Sequence, residues 1–119
     1  MPDAVMAGPG PLRGEVWDAA MPRVGDHPVV ILTINALLQR LSATTAVLVT
    51  GTPGPRSTHI PLSSDAGLTR YEESYAVATE LYNVPLEALR SQRGRLSFGE
   101  LRALEDAVRI AHGLLDADL

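Results

Sequence analysis

HPVVILTINALLQRLSATTAVLVTGT, residues 27–52, is the stretch whose reading decides the fold. Val29–Leu32 and Ala46–Val49 are short runs of β-branched and aliphatic residues, each bounded by polar or turn-forming positions and too short to stand alone as helices. They are read as central, buried strands. Between them Asn35 can cap a turn or two of helix through Ala36, Leu37, Leu38, Gln39 and Arg40, and Ser42–Thr45 leads into the second strand. Each strand ends at chemistry: His27 stands just before the first, and Thr50 with Thr52 just after the second. If the strands pair antiparallel, the start of one lies beside the end of the other, and His27 and Thr50 become neighbours.

Upstream, Glu15–Met21 is read as the first strand, with Trp17 its largest side chain, and Pro22–Asp26 as a tight connection. Residues 1–12, with three prolines and two glycines and no periodic pattern, are expected to form a loose tail, leaving 13–119 as one ordered domain. Downstream, Gly51–Ser57 is a turn-rich loop, and Thr58–Leu62 is extended, with Pro61 confining it to an edge or a strand end. Ser63–Glu73 is polar, with Gly67 as its bend; Tyr75–Val84 reads as the last long strand, its alanines leaving a helix as the alternative, and Pro85 opens a short helix through Leu86 and Leu89. The final helix carries the clearest local signal. Ser97 and Glu100 form a capping box, Leu96 and Leu101 a hydrophobic staple, and Leu101, Leu104, Val108, Ala111 and Leu115 one apolar stripe that Gly113 can end. About five short strands, a small insert helix and a terminal helix amount to a mainly β fold with α elements (α+β), a small, partly open β-barrel.

The bulk composition narrows the function. A chain of 119 residues, 45% hydrophobic, builds one core. No apolar run is long enough to cross a bilayer and the N-terminus lacks the build of a signal peptide, so a cytoplasmic protein with no membrane partner is expected. The absence of cysteine excludes disulfides, thiolate zinc sites and cysteine nucleophiles. His27, His59 and His112 show no metal-ligand spacing, and GTPGPR lacks the Lys-Ser/Thr ending of a P-loop, so neither a metal nor another cofactor is expected. The net charge of -4 argues against nucleic-acid binding by charge alone. Residues 1–60, however, hold four arginines against four acids, so the whole deficit lies in the second half, and a groove in the first half can still present positive charge.

The ordered pieces RGEVW (13–17), HPVVILTINAL (27–37), VLVTGT (47–52), IPL (60–62), ATELYNVPLEAL (78–89) and GRLSFGELRALEDAV (94–108) resemble the MazF/PemK (Kid-like) toxins of type II toxin–antitoxin systems. The resemblance covers nearly all of 13–115. It implies a compact, SH3-like, PemK-type barrel, a homodimer, a cognate antitoxin as partner, and endoribonuclease activity on single-stranded RNA. The chain departs from the family at two places: His27-Pro28 stands where Arg-Pro is usual, and the first inter-strand loop is shorter than in most members. Glu80 matches a glutamine common in the family, and Tyr82 a basic residue.

RNA cleavage by attack of the 2′-hydroxyl needs a proton acceptor, donors for the charged phosphorane, and an acid for the departing 5′-oxygen. His27 suits the first or third task because free imidazole titrates near neutral pH. By the resemblance, Thr50 is the active-site threonine whose hydroxyl and amide donate to phosphate. His27 and Thr50 are therefore the expected catalytic pair, and Arg13, Thr52, Arg56, His59 and Glu80 the expected substrate-binding set. Each has a plainer structural reading: a turn-bound histidine, strand-end threonines, a solvated hairpin at Arg56 and His59, and ion pairs at Arg13 and Glu80. Arg90, Arg93 and Arg95 read as a solvated basic face, with phosphate contact as the lesser reading. Two other functions fit the same fold. One is a non-enzymatic toxin that poisons DNA gyrase through an apolar helix end formed by Ile110, Leu114 and Leu115; the other is a degenerate barrel that binds RNA or antitoxin without cutting.

Overall fold

The computed structural model describes residues 10–68 and 73–114. Six antiparallel strands form one sheet: β1 (Glu15–Met21), β2 (Gly25–Ile31), β3 (Ala43–Thr50), β4 (His59–Leu62), β5 (Ser74–Pro85) and β6 (Leu89–Arg95). Their order is β4-β5-β3-β2-β1-β6, so β4 and β6 are the two edges and the sheet does not close by hydrogen bonding. Helix α1 (Asn35–Leu38) joins β2 to β3, and α2 (Phe98–Ala111) comes after β6. No helix among the described residues is long and apolar enough to cross a membrane.

Period-two alternation splits the apolar residues between two cores. Val16, Val30, Val47 and Val49 join Ile60, Ala76, Ala78, Leu96 and the buried side of α2 on one face. Ala19, Met21, Val29, Ile31, Ala46 and Val84 lie on the other, covered by Leu38 and partly by Leu86 and Ala88. Burial on both faces is why Val29–Ile31 reads as a continuous apolar run.

β6 contradicts the expected number of about five strands. The helix expected after Pro85 is a single 3-10 turn at Leu86–Ala88, and the chain then runs extended along β1. Its sequence, LRSQRGR, gives no apolar alternation because it is an edge strand with only Leu89 buried; charged side chains suit an edge that must not pair further. The cap of α1 also differs. Ile34 holds the extended backbone of an N-cap, so Asn35 is already helical, and its Oδ1 accepts the Arg13 amide instead, at 2.7 Å.

Other local expectations hold. Pro61 lies on an edge strand, and Gly67 bends the chain with a φ of +76°. Ser97 and Glu100 complete the capping box of α2, and Leu104 and Val108 are buried; Ala111 is exposed because the last turn runs off the sheet. Gly113, at a φ of +72°, donates to Ile110 and ends the helix. Leu115, residues 1–9 of the expected tail and residues 69–72 of the polar connection lie outside the described residues. Pro11 is buried, and Leu12 donates its amide to the Glu15 carboxylate at 2.8 Å.

The two edges are bridged without a strand pairing. The 3-10 turn after β4 (Ser64–Ala66) and Gly67 press against β6 so closely that a Cβ at Gly67 would stand 1.8 Å from the Arg93 carbonyl oxygen. A Cβ at Gly94 would stand 2.3 Å from the Asp65 carbonyl oxygen. Two glycines thus allow backbone to lie on backbone where the sheet is open.

Candidate functional site

β2 and β3 pair in the register Val29 to Leu48, Val30 to Val47 and Ile31 to Ala46. Carried toward the mouth of the sheet, that register sets His27 opposite Thr50. Both line a pocket of about 390 Å³ with Thr52, Asp18, Asp26 and Arg93 as its other polar or charged walls, together with Gly51 and Ser74. Pro28, Val49 and Leu68 form its apolar part.

The His27 imidazole is anchored. Its Nε2 lies 2.6 Å from the Val49 carbonyl oxygen. A carbonyl only accepts, so Nε2 carries the proton and, in the neutral ring, Nδ1 keeps the lone pair. Thr50 is oriented by its own loop: its Oγ1 accepts the Thr52 amide at 3.2 Å, leaving the hydroxyl hydrogen to donate elsewhere. β3 is irregular just before the site. Between Val47, which pairs with Leu81, and Val49, which pairs with Ala76, the ladder slips, and β5 carries extra residues across from Leu48. Such a bulge turns the strand end and re-aims the residues beyond it.

Three of the seven residues chosen from the sequence, His27, Thr50 and Thr52, come together here; four do not line the pocket. Arg13 is ion-paired to Glu105 of α2, fastening the N-terminal segment to that helix. His59 has its Nδ1 2.9 Å from the Thr58 hydroxyl, and its ring meets Tyr75 edge-on at 6.3 Å. Its other side abuts Gly54, where a Cβ would stand 2.5 Å from the ring. Arg56 is exposed beside this cluster. Its charge lowers the proton affinity of Tyr75, but the Glu73 hydrogen bond outweighs it and holds the phenol above its ordinary range. Glu80 accepts from the Tyr82 hydroxyl at 3.1 Å, and this bond raises the Tyr82 pKa.

Two pocket residues were not legible as such in the sequence. Asp18 reads as one polar position of β1, and Arg93 as part of a basic face, solvated or, as the lesser reading, touching phosphate, with nothing to place it in this pocket. Arg93 Nη1 donates to both Asp18 carboxylate oxygens, at 3.2 and 3.1 Å, and Nη2 donates to the Gly67 carbonyl at 3.1 Å. Recognising β6 as a strand paired with β1 would have placed the two side by side.

The fold is shared with known toxins. A mycobacterial endoribonuclease in complex with its cognate antitoxin superimposes with a TM-score of 0.81 at 23% identity, over 91% of this chain and 100% of that one. The Mycobacterium tuberculosis toxin MazF-mt6 gives 0.76 at 25% identity, over 85% and 98%. A MazE-MazF structure from Deinococcus radiodurans gives 0.73 at 14% identity, over 90% and 100%. No curated protein sequence matches the chain. The family model for the PemK-like, MazF-like toxin of type II toxin-antitoxin system matches residues 12–112, nearly the whole described chain, and the protein belongs to that family.

Proposed function

We propose that this toxin is a metal-independent endoribonuclease that cuts single-stranded RNA at a short sequence, with the His27–Thr50 pocket as its centre. The carrying observation is that two residues 23 positions apart, a proton carrier and a hydroxyl donor, share one pocket at neighbouring ends of β2 and β3. His27 Nδ1 takes the 2′-hydroxyl proton, the 2′-oxygen attacks phosphorus, and Thr50 donates to a non-bridging oxygen as charge develops there. The P–O5′ bond breaks as the 5′-oxygen takes a proton from water, leaving a 2′,3′-cyclic phosphate and a free 5′-hydroxyl, and His27 returns the proton it took to solvent. Structures of MazF proteins, and of an endoribonuclease bound to its antitoxin, support the reading at the level of the family. A homodimer in the cytoplasm, held inactive by a cognate antitoxin, is part of the same proposal.

The test is incubation of the purified protein, in EDTA, with a long defined single-stranded RNA, and mapping of new ends by primer extension. Cuts at one recurring short sequence with a cyclic phosphate upstream are expected; intact RNA across a broad set of sequences sinks the proposal.

A second reading, a gyrase-poisoning toxin, draws on one observation: Ile110 and Leu114, at the end of α2, are 36% and 74% exposed. Leu115, the third residue of that expected patch, lies outside the described residues. Binding to gyrase without RNA cleavage selects this reading.

A further inference from the structure

Arg93 is the only arginine or lysine among the described residues that line the pocket, and it stands on β6, with β1 between it and the strand that carries His27. We propose that Arg93 is the phosphate-holding catalytic residue and that Asp18 is its positioning residue, an inference that rests on the RNA-cleavage reading above.

The geometry of the guanidinium carries it. Nη1 donates to both Asp18 carboxylate oxygens and Nη2 to the Gly67 carbonyl, whereas Nε bonds to neither. Nε–H and one Nη2 hydrogen are left over from these bonds, and a guanidinium takes phosphate through paired N–H donors. The plane is held from two separate segments, β1 and the turn after β4, so the cation is oriented before substrate arrives. Preorganised donors of this sort are what stabilise a phosphorane at no further cost in reorientation. Asp18 itself also receives the Ser91 hydroxyl, at 3.5 Å.

Charge gives a second argument. Besides Arg93 the described charged walls of the pocket are two carboxylates, Asp18 and Asp26. Without Arg93 an incoming phosphate would meet only negative charge.

The experiment compares kcat and KM for cleavage of one RNA by the wild-type protein and by Arg93→Gln, Arg93→Lys, Asp18→Asn and the Arg93→Gln/Asp18→Asn double variant. Circular dichroism checks each fold. Arg93→Gln is expected to lower kcat/KM by about 10² to 10³, and Arg93→Lys, which keeps the charge and loses the fork, to recover only part of it. Asp18→Asn should lower kcat while KM stays level or falls, because a carboxylate facing the phosphate is gone but the guanidinium is no longer held. In the Arg93→Gln background Asp18→Asn should cost nothing more. Should Arg93→Gln fail to fold, Arg93→Lys carries the test.

A folded Arg93 variant with wild-type kcat/KM overturns the role of Arg93. An Asp18→Asn loss that adds in full to that of Arg93→Gln overturns the coupling. Failure of the wild-type protein to cut any RNA overturns the ribonuclease reading and this inference with it, whereas cutting that is indifferent to Arg93 overturns the inference alone.

Discussion

His27 and Val49 are joined by a contact of 2.6 Å between the imidazole Nε2 and the backbone carbonyl oxygen, so the ring of β2 is fixed by the strand that ends in Thr50. The bond selects the tautomer and leaves Nδ1 as the basic atom. Replacing His27 by alanine should therefore remove the proton acceptor without emptying either core. Cleavage of a defined RNA is expected to fall by about 10² to 10⁴ in kcat, with an unchanged circular dichroism spectrum. Retained activity would take His27 out of the mechanism.

Thr50 separates hydroxyl chemistry from strand propensity. Thr50→Val keeps the β-branch and removes the donor, and is expected to lower kcat by about 10². Thr50→Ser keeps the hydroxyl that accepts from Thr52 and should retain most of the rate. Equal rates for the two variants would show that the amide alone, or neither group, serves the phosphate.

Glu100 gives a pH dependence of stability. Burial alone would raise its carboxyl pKa, but hydrogen bonds from Ser97 and Ser63 more than offset this and hold it below the ordinary value of 4.5. A depressed carboxylate contributes stability that is present above its unfolded pKa and is lost as pH falls through the folded one. Urea denaturation from pH 6 downward should show this loss setting in as pH drops below about 4.5. Glu100→Gln should flatten that limb. Glu100→Ala, which removes one half of the capping box, should cost about 1 kcal/mol at neutral pH.

Gly67 and Gly25 separate close packing from backbone strain. Both have positive φ, +76° and +80°, but nothing lies within 4 Å of a Cβ at Gly25, whereas one at Gly67 meets the Arg93 carbonyl at 1.8 Å. Gly25→Ala should cost about 1 kcal/mol, and Gly67→Ala about 3 kcal/mol because β6 must also move. Equal losses in urea denaturation would mean that the contact between residue 67 and β6 gives way easily.

How much of the fold was legible in the sequence depends on what each segment buries. Val29–Ile31 and Ala46–Val49 sit between two cores, so their runs of aliphatic residues announce strands, and antiparallel pairing alone brings His27 to Thr50. The capping box of α2 is a purely local device and could be read residue by residue. β6 could not, since its side chains face solvent and its strand character comes from the backbone partner that β1 offers. With β6 unseen, Arg93 had no address, and neither did its pairing with Asp18. The ion pair of Arg13 with Glu105 likewise joins positions 92 residues apart, a relationship that no spacing in the sequence encodes.

The sheet places its last strand beside its first: Glu15 pairs with Arg95, and Trp17 with Gln92. During synthesis β1 and β2 emerge early, but the outer partner of β1 emerges only after residues 89–95 have been made. Such long-range pairing is slow to form and cannot precede the chain that supplies it. A nascent chain therefore lacks the Arg93 wall of this pocket until residues 89–95 have been made, so the pocket is completed only after the five preceding strands.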